Sequence, residues 1–181
     1  MTTVIKVGGS LAKNGRLNDC LNRIDRQYKK ACIIVPGGGG FADQVRAAQQ
    51  HWQFDQHTAH NMALLAMQQM ALLFKALQPA WQLVANSQDI SYDLHGIMIW
   101  QPDITELDAA GVEASWDVTS DSLSAWLAGA IHADRLIILK STPVAVSSPI
   151  DALQHADIVD PAFHRFIAAD IPFDVRYYEQ L

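Results

Sequence analysis

Apolar residues change period several times along this chain, and each change marks the edge of an element. Thr3 to Val7 is a short β-branched run that stops at Gly8-Gly9-Ser10, predicting a strand and then a turn. From Leu17 the apolar positions Leu17, Cys20, Leu21, Ile24 and Tyr28 fall at helical spacing. Ala31 to Val35 is a continuous apolar run, read as a strand buried on both faces, and it ends at Pro36 and the four glycines Gly37, Gly38, Gly39 and Gly40. Phe41, Val45 and Ala48 then resume a helical period. A strand, a glycine loop and a helix, repeated within the first part of the chain, argue for a parallel sheet covered by helices. The predicted fold class is α/β: a three-layer α/β/α sandwich around an open, mainly parallel sheet, formed by residues 1–181 as one domain.

The longest helical pattern is 56–78. Ala59, Met62, Ala63, Ala66, Met70, Leu73 and Leu77 line one face, while Leu64, Leu65, Met67 and Leu72 occupy others. A helix apolar around most of its circumference is buried in the domain or in a subunit contact, which predicts a homodimer. Residues 82–86 and 97–101 read as strands joined by a polar connection through Ser91 and Asp93. Residues 103–113 carry no readable period. Thr119/Ser120 then reads as an N-cap before Leu123, Trp126, Leu127, Ala130 and Ile131, followed by a buried-type strand from Arg135 to Leu139. Asp160-Pro161 reads as a helix start, and Phe173 to Tyr177 as a closing strand.

Composition narrows the class. Of 181 residues, half are hydrophobic and 18% charged, enough apolar material for a full core. The net charge is −6 and no segment gathers basic residues, which argues against a nucleic-acid or anionic-membrane surface. The apolar runs are far shorter than the ~20 residues that span a bilayer. Met1 leads into the first strand without a signal-peptide layout, predicting a cytoplasmic protein. Cys20 and Cys32 form neither a CxxC nor a zinc spacing and read as buried free thiols. The five tryptophans read mostly as core or interface anchors, with Trp116 the one placed to meet a substrate.

The chemistry lies in the glycine loops. Glycines where a strand gives way to a helix let backbone N–H groups converge without a Cβ in the way, an arrangement suited to phosphate. Neither loop is followed by Gly-Lys-Ser/Thr, and neither matches GxGxxG. Lys6 stands inside an apolar strand, where an ammonium is costly unless an anion meets it. Lys140 repeats that situation at the end of the Arg135–Leu139 strand. Asp121 falls in a first helical turn, where a carboxylate also suits the helix dipole, and Asp117 precedes it in a loop. His57 and His60 share a helix three residues apart, but no third ligand accompanies them, so no metal site is predicted.

Three blocks, Ile5-Lys6-Val7-Gly8-Gly9-Ser10-Leu11, Val35-Pro36-Gly37-Gly38-Gly39-Gly40 and Asp117-Val118-Thr119-Ser120-Asp121, resemble the amino acid kinase family in type and order. Residues 59–67 and 116–122 look most like the small aminomethylfuran phosphate kinases of methanofuran biosynthesis. The resemblance implies a cytoplasmic kinase that uses ATP and Mg²⁺ to phosphorylate a small phosphate monoester. It assigns Lys6, Asp121 and Lys140 to catalysis, and Lys6, Gly8, Gly9, Ser10, Lys140, Ser141 and Thr142 to ATP. It assigns Gly37, Gly38, Gly39, Gly40, His60, Asp117 and Thr119 to the acceptor, with Asp117 suited to an aminomethyl ammonium. Two departures stand out: a late lysine common in the family is missing, and the C-terminal nucleotide-binding part is short. Lys140 is the candidate to replace that charge; the alternative is weak or lost ATP binding. Two alternatives stay open, a carboxylate acceptor and a noncatalytic module that binds a nucleotide or oxyanion.

Overall fold

The computed structural model describes residues 1–28, 31–90, 96–144 and 149–181. Six strands form one sheet: β1 (Thr3–Val7), β2 (Cys32–Pro36), β3 (Gln82–Val84), β4 (Ile97–Trp100), β5 (Arg135–Lys140) and β6 (Phe173–Tyr177). Their order is β3-β4-β2-β1-β5-β6, and each described pairing is parallel. The helices are α1 (Ser10–Lys13), α2 (Leu17–Gln27), α3 (Gly39–Trp52), α4 (Gln56–Leu77), α5 (Ile104–Ala109), α6 (Ser120–Ala130), α7 (Ile150–His155) and α8 (Phe163–Phe166). The connection through Ser91 and Asp93 lies outside the described residues.

Alternation along the central strands divides the core in two. Val4, Ile33, Val35, Leu136 and Ile138 face one cluster with α5, α6, α7 and α8. Ile5, Val7, Ile34, Ile137 and Leu139 face the other with α1 and α2. Strands covered on both faces carry no polar alternation, which is why β1, β2 and β5 read as continuous apolar runs. Cys20 and Cys32 are buried free thiols in the second cluster, as expected. Burial pushes the Cys20 thiol up to about 12 and the Cys32 thiol higher still.

Several local expectations need correction. Residues 103–113, unreadable by period, contain α5, begun by Asp103, whose carboxylate accepts from the Glu106 N–H at 2.8 Å. The Asp103-Ile-Thr-Glu106 spacing is a capping signal that a search for apolar periods passes over. Asp160 does not start the last helix, which begins at Phe163. Its buried carboxylate reaches back to α6 instead, accepting from the Thr119 N–H at 2.9 Å, the Thr119 hydroxyl at 2.8 Å and the Ser122 N–H at 3.0 Å. The Ser122 hydroxyl donates to it as well. Thr119 occupies the N-cap position of α6, but its side chain does no capping. Trp81 and Trp100 are core residues, whereas Trp52 is 73% exposed.

Candidate active site

The parallel sheet brings the C-terminal ends of β1, β2 and β5 side by side, and the glycine loops leave from there. β1 lies between β2, which precedes β4 and β3 outward, and β5, so the strand order reverses beside it. Ligand crevices of open α/β sheets form at such reversals. The Gly8 N–H donates to Leu139 of β5 at 3.2 Å, and the Gly37 N–H donates to Val7 of β1 at 2.9 Å. Backbone bonds therefore tie all three strand ends together.

The two loops pack against each other at backbone distance. A Cβ built on Gly9 would lie 2.5 Å from the Gly39 nitrogen, and one on Gly37 would lie 2.7 Å from the Gly9 nitrogen. Gly39 also has φ +54, a conformation that favours glycine. Gly40 is exposed and opens onto free space. Gly9→Ala is therefore expected to force the loops apart and destabilise by about 1–3 kcal/mol, with a lower urea midpoint. Gly40→Ala is expected to leave that midpoint unchanged.

Beside the loops sits a charged triad. Lys6 projects from β1, flanked in register by Val35 and Ile138, and its ammonium lies 2.8 Å from Asp121 Oδ1. Lys140, at the end of β5, donates to Asp121 Oδ2 at 2.9 Å. Lys6 and Asp121 are both buried, with 5% of each exposed. Burial raises the Asp121 carboxyl, but Lys6 and Lys140 outweigh it and hold it below the usual range. Burial, then the charge of Lys6, pulls the Lys140 ammonium down to about 8 against the attraction of Asp121. Two ammoniums on one carboxylate leave a net positive charge in a dry place, which an incoming anion would neutralise.

This shift has a sign that can be checked. The unfolded chain keeps Lys140 protonated up to its ordinary pKa, whereas the folded protein releases that proton near pH 8. Stability conferred by Lys140 should therefore rise with pH between about 8 and 10.5. The two buried thiols act oppositely, since their folded pKa values are raised. The measurement is thus the difference between wild type and Lys140→Met in urea at pH 7 and pH 10. That difference should shift toward the wild type at the higher pH.

A cavity of about 190 Å³ opens next to the loops. Gly9, Ser10, Gly37, Gly38 and Gly39 form one side, and His60, Trp116, Thr119 and Ser120 lie on its other walls. His60 is 6% exposed and its Nε2 has no hydrogen-bond partner. Burial lowers the His60 pKa despite a hydrogen bond with the Ser115 backbone, so the ring is neutral near pH 7. His57, three residues earlier, is exposed and lies 3.6 Å from Asp108.

The expected residues divide as follows. Lys6, Gly8, Gly9, Ser10, Asp121, Lys140 and Ser141 share one corner, where the Ser141 hydroxyl donates to Ser10 Oγ at 2.9 Å. Gly37, Gly38, Gly39, His60 and Thr119 line the adjoining cavity. Asp117, Gly40 and Thr142 are exposed and stand outside that lining. The carboxylate that does line it is Asp43, paired with Lys13. Sequence reasoning passed over Asp43 and Arg46, because neither carries a local signature beyond that of a polar helix face.

A model of the amino acid kinase family matches residues 1–158. The chain belongs to the amino acid kinase family. It is 27% identical over 142 residues to the [5-(aminomethyl)furan-3-yl]methyl phosphate kinase of Methanocaldococcus jannaschii, a match covering 75% of this chain and 63% of that protein. The chain thus spans less than two thirds of that relative's length. The fold is shared with a uridylate kinase from Archaeoglobus fulgidus, with a TM-score of 0.69 at 15% identity over 99% of this chain and 93% of that one. It is also shared with a UMP kinase from Bacillus anthracis, at TM-score 0.66 and 16% identity, covering 98% and 87%. An aspartate kinase from Synechocystis gives a TM-score of 0.70 at 16% identity, covering 99% of this chain and 38% of its own length. The α/β/α architecture expected from the sequence is that of the family.

Proposed function

We propose that this family member is an ATP-dependent kinase. It would transfer the γ-phosphoryl group of ATP to a small phosphate monoester such as [5-(aminomethyl)furan-3-yl]methyl phosphate, giving a diphosphate. The observation that carries this reading is the Lys6–Asp121–Lys140 triad beside two glycine loops in backbone contact. In the reaction an acceptor oxygen bonds to the γ-phosphorus while the bond from that phosphorus to the β,γ-bridging oxygen breaks, and ADP leaves. Charge spreads over the equatorial oxygens, so cations and N–H groups fixed in advance do most of the work. Lys6 and Lys140 supply the cations, Asp121 keeps them apart and aimed, and the loops supply the amides. Lys140 would stand in for the late lysine that the sequence lacks.

A phosphate monoester is already anionic near neutral pH (second pKa about 6) and needs no general base. The cavity, at about 190 Å³, lies below the ~300–1,000 Å³ of drug-sized pockets and suits a small acceptor. His60, with its open Nε2, would accept a hydrogen bond from an N–H or O–H of the acceptor rather than bind its phosphate. Mg²⁺, if it accompanies ATP, would supply positive charge against the phosphates. The described residues hold no group of three or more His, Cys, Asp or Glu to ligate a metal, and Asp121 is committed to two lysines. The nucleotide's own oxygens would then carry the ion.

The test is ³¹P NMR of the protein with ATP, Mg²⁺ and [5-(aminomethyl)furan-3-yl]methyl phosphate. New diphosphate resonances with matching ADP are expected. Acyl phosphate formed from carboxylates instead, trapped by hydroxylamine, would replace this reading by an amino acid kinase activity. ATP binding with no transfer to any acceptor would leave a noncatalytic module.

We also infer a homodimer built on α4. That helix buries Leu64, Met67, Met70 and Phe74 but leaves Leu65, Leu72 and Leu73 at 45%, 54% and 38% exposed. Light scattering should give a dimer, and Leu72→Glu a monomer. No helix among the described residues is long and apolar enough to cross a membrane. We place the working enzyme in the cytoplasm, with ATP and a small phosphate ester as its partners.

A further inference from the structure

Arg46 has no part in the assignments above. It projects from α3 onto the wall of the acceptor cavity, and its guanidinium carbon lies 4.1 Å from the centroid of the Trp116 ring. Trp116 is held from its other polar edge, where the indole N–H donates to Gln49 Oε1 at 2.7 Å. Arg16, Arg23, Arg135, Arg165 and Arg176 each pair with a carboxylate. Arg46 has no such pair among the described residues, and the nearby carboxylate of Asp43 is taken by Lys13. A guanidinium held over an indole by its charge, with no carboxylate on its N–H groups, keeps the planar fork that matches two oxygens of one phosphate. The same cavity holds the buried, unpartnered His60 Nε2. Its neutral ring bonds to the Ser115 backbone, so that nitrogen is a hydrogen-bond acceptor and leaves Arg46 as the group on this wall able to meet an oxyanion.

We propose that Arg46, held over the Trp116 ring, binds the phosphate that the acceptor brings to the reaction and is the residue that selects phosphate esters over the corresponding alcohols. This rests on the kinase reading given above and deepens its acceptor half. The incoming phosphoryl group would be met by Lys6 and the glycine loops, and the acceptor's own phosphate by Arg46. Lysine would not serve equally, because an ammonium presents no planar fork.

The experiment is calorimetry on the full chain without turnover, titrating [5-(aminomethyl)furan-3-yl]methyl phosphate, the matching alcohol and, separately, ATP. Wild type, Arg46→Met and Arg46→Lys are compared, with thermal melting as a check on folding. Arg46→Met should weaken the phosphate ester by roughly tenfold or more, remove the preference for ester over alcohol, and leave ATP affinity and melting temperature unchanged. Arg46→Lys should recover only part of the preference. If Arg46→Met keeps the wild-type preference while only its melting temperature falls, Arg46 merely braces Trp116 and the proposal is overturned, with the kinase reading intact. If wild type itself shows no preference for the ester, the phosphate acceptor is wrong and both fall together.

Discussion

Lys6→Met is expected to lower kcat by about a hundredfold or more, the scale of one lost electrostatic contact to a transition state, about 3 kcal/mol. Methionine fills a similar volume in the strand, so the sheet register at Val35 and Ile138 should hold. The variant loses a cation in a buried place, where a charge acts through little solvent. A second readout accompanies the first. The Lys6 charge is, after burial, the main influence depressing Lys140, so the Lys140 ammonium should titrate above its present value of about 8 once Lys6 is gone. Lysine side-chain NMR reads that titration and coupled ADP release reads kcat. Wild-type turnover in Lys6→Met would remove the triad from the chemistry.

Asp121→Asn is expected to cost more in stability than in any single contact. Two ammoniums would then share a buried corner with no carboxylate, and breaking a buried pair by removing one partner costs about 3–5 kcal/mol. That is a large part of the ~5–15 kcal/mol that holds a domain folded. The loss should shrink as pH rises. With the carboxylate gone, nothing opposes the lowering of Lys140, which sheds its proton at lower pH than in the unfolded chain, so the fold gains stability through the alkaline range. Urea unfolding of the variant at pH 7 and pH 10 measures both effects. A variant as stable as wild type at pH 7 would mean that the lysines do not depend on Asp121.

The site was legible in proportion to how local its causes are. Lys6 stood out because an ammonium inside an apolar strand needs an explanation within five residues of chain. The glycines stood out because a strand-to-helix turn restricts backbone φ and approach, and Gly9 against Gly39 bears out that steric reading. Asp121 could be placed on a first helical turn, but that it joins two lysines from two strands depends on β1 and β5 being neighbours. Asp160 was misread for the same reason. As Asp-Pro it looks like the start of a local helix, whereas its carboxylate caps a helix some forty residues earlier in the chain. For α4 the apolar count could not tell which leucines face protein, and three of them face outward in the single chain.

By itself the amino-acid order determined that this would be a parallel α/β sheet with glycine turns at two strand ends, since period, glycine and proline act over a few residues. Only the folded chain decided which turns touch, which carboxylate is shared by Lys6 and Lys140, and that Arg46 rather than Asp117 reaches the cavity. Those outcomes depend on strand order and on the packing of elements far apart along the chain, where the burial of a charge is set by neighbours that no local pattern names.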